Sequence, residues 1–389
     1  MLKKSVLWIH KWLGLITGLV VFLVSLSGAI YTFHDELKLL VYPEKYFLQS
    51  PASEATPLPL TELVSRAQSV LPDGEEISRV DLYPASGRSW VFRASDIDVA
   101  GFGHWNYFRY YKRVFMNPYT GECVAVEDSK NEFFQLILQL HMNLLLGKTY
   151  GHAIVAYSTI IFAVLLATGM ILWWPKKWRG KTLRRSVWLD RKVKWKRFNY
   201  DLHNVWGFYV FPIALILCLT GLLFSFPEWK KPYSDFFNQF SIFNPNSTTL
   251  QNTTSQISKR HHAPIDNLLT YVLQKHPDAG MMSIRLREPD APVVDVQIRL
   301  REDRSGLFRW YYVNTQDLSI KEIRSHDKLS AGDLMSALNF DLHTGTIGGL
   351  PTKILVFFIA LGCASLPITG YFLWWNKRSK AKRKSLSRI

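Results

Sequence analysis

Four stretches of the chain carry no charged residue: Trp12 to Phe33, Ile154 to Trp174, Val205 to Phe226 and Ile354 to Trp375. Each is longer than the roughly 18 apolar residues that separate a membrane span from a buried core helix. The pattern predicts four transmembrane helices and excludes a soluble protein. The long stretches after the first and third spans have a different texture. Leu60 to Leu71 and Ile265 to Lys275 place apolar residues at helical spacing, and each is followed by alternating runs that read as strands, such as Ser89-Trp90-Val91-Phe92-Arg93 and Val293-Val294-Asp295-Val296-Gln297-Ile298. Asn117-Pro118-Tyr119-Thr120-Gly121-Glu122 reads as a turn with glycine where a hairpin needs positive φ. Both stretches are expected to form small α+β modules. Asn238 to His262, rich in Ser, Thr, Asn and Gln, is expected as a loop inserted in the second.

Composition excludes disorder, with 48% apolar residues, 24 Phe, 17 Tyr and 14 Trp. The net charge of +16 raises the question of nucleic acid, and its placement answers it. Residues 1–11 hold three Lys, Pro175 to Asp201 hold eleven Lys or Arg against two Asp, and Asn376 to Ile389 hold seven basic residues and no acid. These segments exceed the surplus of the whole chain and leave the remainder slightly acidic, so no nucleic-acid partner is expected. All of them flank span ends. The positive-inside rule then puts both termini and the 175–204 loop in the cytoplasm and both modules outside, with contact to anionic membrane lipid as a lesser use of the same basic loops. The first apolar run of 22 residues lacks a small-x-small cleavage site and reads as a retained span, not a signal peptide. Three Cys, at 123, 218 and 363, form no CxxC or CxxCH, which supports neither a disulfide framework nor covalent haem attachment.

The chain reads as a duplication. His10 precedes Ser27-Gly28 by 17 residues, and His203 precedes Thr220-Gly221 by the same 17. The second and fourth spans end as Thr168-Gly169-Met170-Ile171-Leu172-Trp173-Trp174 and Thr369-Gly370-Tyr371-Phe372-Leu373-Trp374-Trp375, and are led by Leu140-His141 and Leu342-His343. The offsets are 193 for His10 to His203, 202 for His141 to His343 and 201 for Gly169 to Gly370. Two parallel halves, each span, module, span, imply a pseudo-twofold axis along the membrane normal. Phe108-Arg109 and Phe308-Arg309, 200 apart, extend the repeat into the modules.

The duplication pairs four of the eleven His. A twofold axis makes His10 face His203 at the cytoplasmic ends, and His141 face His343 on the outer side. Two opposed imidazoles at one depth are what bis-histidine ligation of a non-covalent b-type haem requires, one nitrogen above the macrocycle and one below. A single His at a span boundary reads equally as an interfacial anchor or a hydrogen-bonded core residue. Gly14, Gly18, Gly28, Gly169, Gly207, Gly221 and Gly370 leave room either for a macrocycle or for close helix contacts. His34 and His152 map onto Pro227 and Lys353 and have no symmetric partner, His261-His262 is a weak metal pair, and His104, His276 and His326 carry no signal.

Aromatic and basic residues interleave from His104 to Arg113 and from Arg304 to Tyr312. Such strands, with Arg109 and Arg309 as candidate substrate contacts, suit an anionic or planar ligand, or else a strand with one face in a core. Trp173-Trp174 and Trp374-Trp375 fit interfacial belts. No GxGxxG unit, Walker A, HExxH or GxSxG is present. The cytoplasmic loop is too short for a flavin or nicotinamide domain of at least about 50 residues. Electrons for any haem would come from a membrane quinol or a separate cytoplasmic reductase.

Leu140-His141 with Gly147, Gly151 and the span ending Thr168 to Trp174 resembles the PepSY-associated transmembrane family of bacteria, and Val114-Phe115-Met116-Asn117-Pro118-Tyr119-Thr120-Gly121-Glu122 resembles a PepSY module. The second module departs from this with Asn314-Thr315-Gln316-Asp317, and the glycines after His343 are shifted to Gly345, Gly348 and Gly349. In size, span number and module number the chain is most similar to the FoxB-type siderophore reductases of that family. The resemblance implies an α-helical membrane bundle of four transmembrane helices in duplicated 2+2 halves, with two periplasmic α+β PepSY-like modules. Its parts are span one (1–33), module one (34–139), the outer His segment with span two (140–174), a basic cytoplasmic loop (175–204), span three (205–226), module two (227–341), the second outer His segment with span four (342–375) and a basic tail (376–389). It further implies a bacterial inner-membrane oxidoreductase with two b-type haems, whose iron is held by His10 and His203 and by His141 and His343, reducing ferric siderophore in the periplasm. A non-catalytic, membrane-anchored PepSY protein that binds or regulates a protease, and an iron or siderophore permease, are the alternatives. The repeated His pairs favour the redox reading, because an anchor has no need of imidazoles at matched depth.

Overall fold

The computed structural model describes residues 2–49, 56–175, 178–190, 192–240, 257, 263–286 and 292–386. Most of the expected loop Asn238 to His262, with His261-His262, lies outside the described residues. The chain divides into a helical unit (Met1–Phe33, Ile137–Pro227, Leu342–Ile389) and a sheet unit (His34–Leu136, Glu228–Asp341).

The helical unit contains the four expected spans as helices Leu2–Tyr31, Gly147–Trp173, Trp195–Ser225 and Leu350–Leu386. Each packs on two others, in the ring order first, second, third, fourth and back to first. Only 22% to 39% of the apolar window of each span is buried inside the bundle, and Ile16, Leu19, Tyr157 and Phe358 stand exposed on its outside. A helix that is apolar all round and half covered by protein is built for lipid. Leu166, Val210, Ala214, Cys218, Ile359 and Cys363 form the bundle core.

His141 and His343 do not head the second and fourth spans. They sit on separate short helices, Phe133–Asn143 and Asn339–Thr344. The first break is made by Leu144 and Leu145 at φ 55 and 59, the second by Gly345 at φ 78 and Gly349 at φ 69. Leucine pays a steric penalty for that conformation which glycine escapes. Gly151 then lets the second span pass the end of the short helix, since a Cβ there would stand 1.7 Å from the Asn143 carbonyl oxygen.

In the sheet unit the two expected modules share one antiparallel sheet, in which they are halves. Its strands are β1 (Ile77–Leu82), β2 (Trp90–Ile97), β3 (Phe108–Met116), β4 (Cys123–Asp128), β5 (Met281–Arg285), β6 (Val293–Arg301), β7 (Arg304–Asn314) and β8 (Ile320–Ser325), in the order β4-β3-β2-β1-β5-β6-β7-β8. Two four-stranded meanders thus join where β1 pairs with β5. Alternation decides the faces. Val80, Leu82, Trp90, Phe92, Val114, Met282, Ile284, Val296 and Ile298 form one core with helices Leu60–Ser69 and Pro264–Lys275, while the intervening residues, Asp81, Arg93 and Ser283 among them, point to the other face.

The two helices are tied across the join. Pro59 at the N-cap of Leu60–Ser69 offers no side-chain acceptor. Instead, the Thr61 backbone N–H donates to Asp266 Oδ1 at 2.8 Å and the Thr61 hydroxyl donates to Oδ2 at 2.7 Å. A carboxylate from the second half thereby caps a helix of the first. Asp266→Ala is expected to cost about 1–2 kcal/mol, the range for a lost cap. It should lower the thermal midpoint of the purified protein, whereas Asp266→Asn should retain most of the stability.

Candidate functional site

The four histidines that the sequence offsets pair come together as two facing pairs. His10 and His203 have ring centroids 6.3 Å apart with an interplanar angle of 84°, and His141 and His343 stand 6.0 Å apart at 60°. Gly28, which abuts His141, follows His10 by 18 residues on the first span. At 1.5 Å per residue the two pairs are therefore about 27 Å apart along the bundle.

Each ring is seated in the same way by a neighbouring span. His10 lies on the second span, where its Nδ1 is 2.9 Å from Thr168 Oγ1, and His203 lies on the fourth, with Nδ1 2.8 Å from Thr369 Oγ1. His343 lies on the third span, 2.9 Å from Thr220 Oγ1, and His141 on the first, 2.8 Å from the Val24 carbonyl oxygen. The three threonine hydroxyls already donate to carbonyls of their own helices, Val164, Ser365 and Ile216. A hydroxyl has one proton, so toward each imidazole it accepts, as the Val24 carbonyl must. All four rings therefore carry their proton on Nδ1, which leaves the Nε2 lone pair free to coordinate.

The residue after each threonine, or after Ser27, is glycine, and the ring lies against it. A Cβ at Gly28, Gly169, Gly221 or Gly370 would stand 2.9, 3.3, 3.3 or 3.4 Å from the Cε1 atom of His141, His10, His343 or His203. These glycines make room for imidazoles. A Cβ at Gly14 or Gly207 would meet only the Leu165 or Leu366 side chain at 3.8 or 3.7 Å, and one at Gly18 only Pro367 at 3.4 Å, which are ordinary contact distances. The sequence displays the four Ser/Thr-Gly pairs, but their partners are set only by the helix packing.

A cavity of about 760 Å³ surrounds His10 and His203, lined by Gly14, Gly18, Gly207 and Phe208, with Lys4 and Lys377 also on its wall. That volume falls in the range of about 300–1,000 Å³ for cofactor sites. With metal–nitrogen bonds of about 2 Å and ring nitrogens about 1.2 Å from their centroids, a metal ion between two imidazoles sets the centroids about 6.4 Å apart. The first pair meets that spacing and the second stands slightly closer. Among the described residues no group of three or more His, Cys, Asp or Glu could hold a metal ion, so an ion at either pair needs its remaining ligands from elsewhere.

The other candidates separate. Arg109 is exposed and paired with Asp96 at 3.0 Å. Arg309 stands 4.0 Å from Asp327 and lies beside Tyr311, a member of the helix-covered core. Four strands lie between β3 and β7, so the two arginines do not share a site. They also do not match in register, because the equivalent turn residues Asn117 and Asn314 are 197 apart against 200 for the arginines, and a three-residue slip turns a side chain to the opposite face. His104 Nε2 is 2.6 Å from the Lys130 carbonyl oxygen, His276 Nε2 is 2.8 Å from the Tyr311 hydroxyl, and His326 Nδ1 is 3.2 Å from the Phe308 carbonyl oxygen, all within the sheet unit. His34 meets Asp35 at 3.0 Å, and His152 is half-buried on the second span.

Fold and sites define a multi-pass membrane protein, a four-helix bundle that seats two facing imidazole pairs and carries an antiparallel sheet unit. Residues 7–377 match the family model described as the PepSY-associated TM region, and the chain belongs to that family. No curated protein matches it.

Thr369→Val removes the hydroxyl acceptor for the Nδ1–H of His203 and leaves it only the Leu366 carbonyl in an apolar bundle. A loss of about 1–3 kcal/mol is expected, seen as a lower thermal midpoint in detergent, and Thr369→Ser should restore most of it.

Proposed function

We propose that this protein is a di-haem b oxidoreductase of the bacterial inner membrane. In this reading it carries electrons across the membrane to reduce ferric siderophore in the periplasm and release the iron. The observation that carries the reading is the set of four imidazoles, paired, proton-fixed on Nδ1 and, among the described residues, without a third protein ligand. Two imidazoles per site suit a metal ion whose remaining ligands come with its own group, as haem would provide. A haem bound at each pair would supply one-electron redox chemistry.

The chain's own residues define the rest. His10 and His203 would hold one haem through Nε2, and His141 and His343 the other. Thr168, Thr369, Thr220 and the Val24 carbonyl fix the ring tautomer and raise the basicity of the coordinating nitrogen. The apolar core around Val210, Ala214 and Ile359 keeps water and ions from leaking between the two ends. Lys4 and Lys377, on the wall of the first cavity, have the charge to meet haem carboxylates. The basic loops support a topology with both termini in the cytoplasm and the sheet unit, with its two PepSY-like halves, in the periplasm. Membrane quinol or a cytoplasmic reductase would supply electrons at the His10 and His203 end.

Protein purified from haem-sufficient cells should be coloured, with two low-spin b haems per chain in oxidised and dithionite-reduced spectra. His10→Ala and His203→Ala should disturb one haem, and His141→Ala and His343→Ala the other. Ferric siderophore added to the reduced protein should reoxidise it and yield Fe(II) trappable by a ferrous chelator. A colourless preparation would overturn the redox reading in favour of an anchored binding protein.

A further inference from the structure

On the face of the sheet opposite helices Leu60–Ser69 and Pro264–Lys275, where the short helix Pro43–Tyr46 covers the Arg113 end, one rung runs across four adjacent strands as arginine only. Arg113 of β3 is paired with Arg93 of β2, Arg93 with Arg79 of β1, and Arg79 with Arg285 of β5. Like charges directly opposite on neighbouring strands destabilise a sheet, and here the conflict occurs three times in succession. Arg299 of β6 adds a fifth guanidinium within electrostatic reach of Arg79.

Three carboxylates answer these five cations. Glu127 pairs with Arg113 at 3.5 Å at one end of the rung, and Asp295 with Arg285 at 3.5 Å at the other. Asp81, fully buried, takes both Arg79, at 3.0 Å, and Arg93. Burial alone would raise the Asp81 carboxyl, but Arg93, Arg79 and the Ser283 hydroxyl hold it below the usual carboxylate range. The face therefore keeps a surplus of positive charge. Arg93 Nε and Arg299 Nε are buried without a hydrogen-bond partner among the described residues. The guanidinium side chains remain reachable, with Arg79, Arg93 and Arg285 28%, 31% and 46% exposed. Trp310 walls the same patch, its ring centroid 4.9 Å from the Arg285 guanidinium.

We propose that this arginine rung is the recognition surface for an anionic, polycarboxylate chelate of a trivalent metal ion, seated over Arg79, Arg93, Arg285 and Arg299. Four strands about 4.8 Å apart spread the guanidiniums over about 14 Å, too far for one phosphate or one carboxylate. A chelate with several carboxylates at its rim spans that distance, and arginine reads each one through paired N–H groups. The inference rests on ferric chelate as the substrate and deepens it, by selecting acidic chelates over neutral hydroxamate ones.

The full-length protein in zwitterionic lipid nanodiscs is titrated calorimetrically with gallium citrate, with metal-free citrate and with a neutral gallium tris-hydroxamate. Gallium(III) takes the place of iron without redox chemistry, so binding is read independently of electron transfer. Gallium citrate should bind, and more weakly as salt rises. Arg299→Gln, which leaves all three carboxylate pairs intact, should weaken it at least tenfold with an unchanged thermal midpoint, and Arg285→Gln should weaken it as much while lowering the midpoint, because the buried Asp295 loses a partner. Neutral hydroxamate should bind at least tenfold more weakly than citrate chelate. Absence of gallium citrate binding, equal affinity for metal-free citrate, or indifference to both substitutions would overturn the proposal. A haem-loaded protein that fails this titration rejects the rung alone, and a haem-free protein that passes it rejects the redox reading alone.

Discussion

Everything at the two bundle ends depends on how an imidazole is held between two helices. The Nδ1–H is spent on a threonine hydroxyl or a backbone carbonyl, and the ring lies on a glycine that offers no Cβ. Both parts are needed. Without the acceptor the ring could rotate or exchange tautomers, and without the glycine it would be pushed several tenths of an ångström toward its partner. Because His10 is held by the second span and His141 by the first, the first two spans clamp one ring at each end. The third and fourth do the same through His343 and His203. Two such clamps, set face to face, give the opposed pairs.

The clamps are not identical. Ser27 stands where the second half has Thr220, and both hydroxyls turn to the carbonyls four and three residues back, but Thr220 Oγ1 also meets its imidazole, whereas His141 bonds the Val24 carbonyl. Leu144 and Leu145 make the turn that Gly345 makes in the second half. Pro212 and Pro367 interrupt the third and fourth spans only, where each removes a backbone donor. A pair made of two non-identical halves can bind a symmetric group in an asymmetric field.

The sheet unit solves a different problem. Its helix-covered face is an apolar core, and its other face is a charge lattice in which Asp81, Glu127 and Asp295 offset a row of arginines. Deep carboxylates of this kind hold a sheet in one register, because a slip of one residue would bury guanidinium in the core and expose Trp90 and Phe92. The Asp266 cap adds a link between the halves that neither could make alone.

By itself the sequence determined the four spans, the elements of the modules and the identity of the paired histidines, since apolar length, alternation and matched offsets are local or one-dimensional signals. It also displayed the Ser/Thr-Gly pairs, without saying what they hold. The tertiary structure alone decided that each histidine is seated by a neighbouring helix, that His141 and His343 stand on helices of their own, and that two modules share one sheet. It also separated Arg109 from Arg309 and assembled Arg79, Arg93, Arg113 and Arg285 into one rung. Those outcomes depend on pairing between residues far apart in the chain, above all β1 with β5 across some 200 residues, and register across such a gap is fixed by packing and buried charge, which no local pattern encodes.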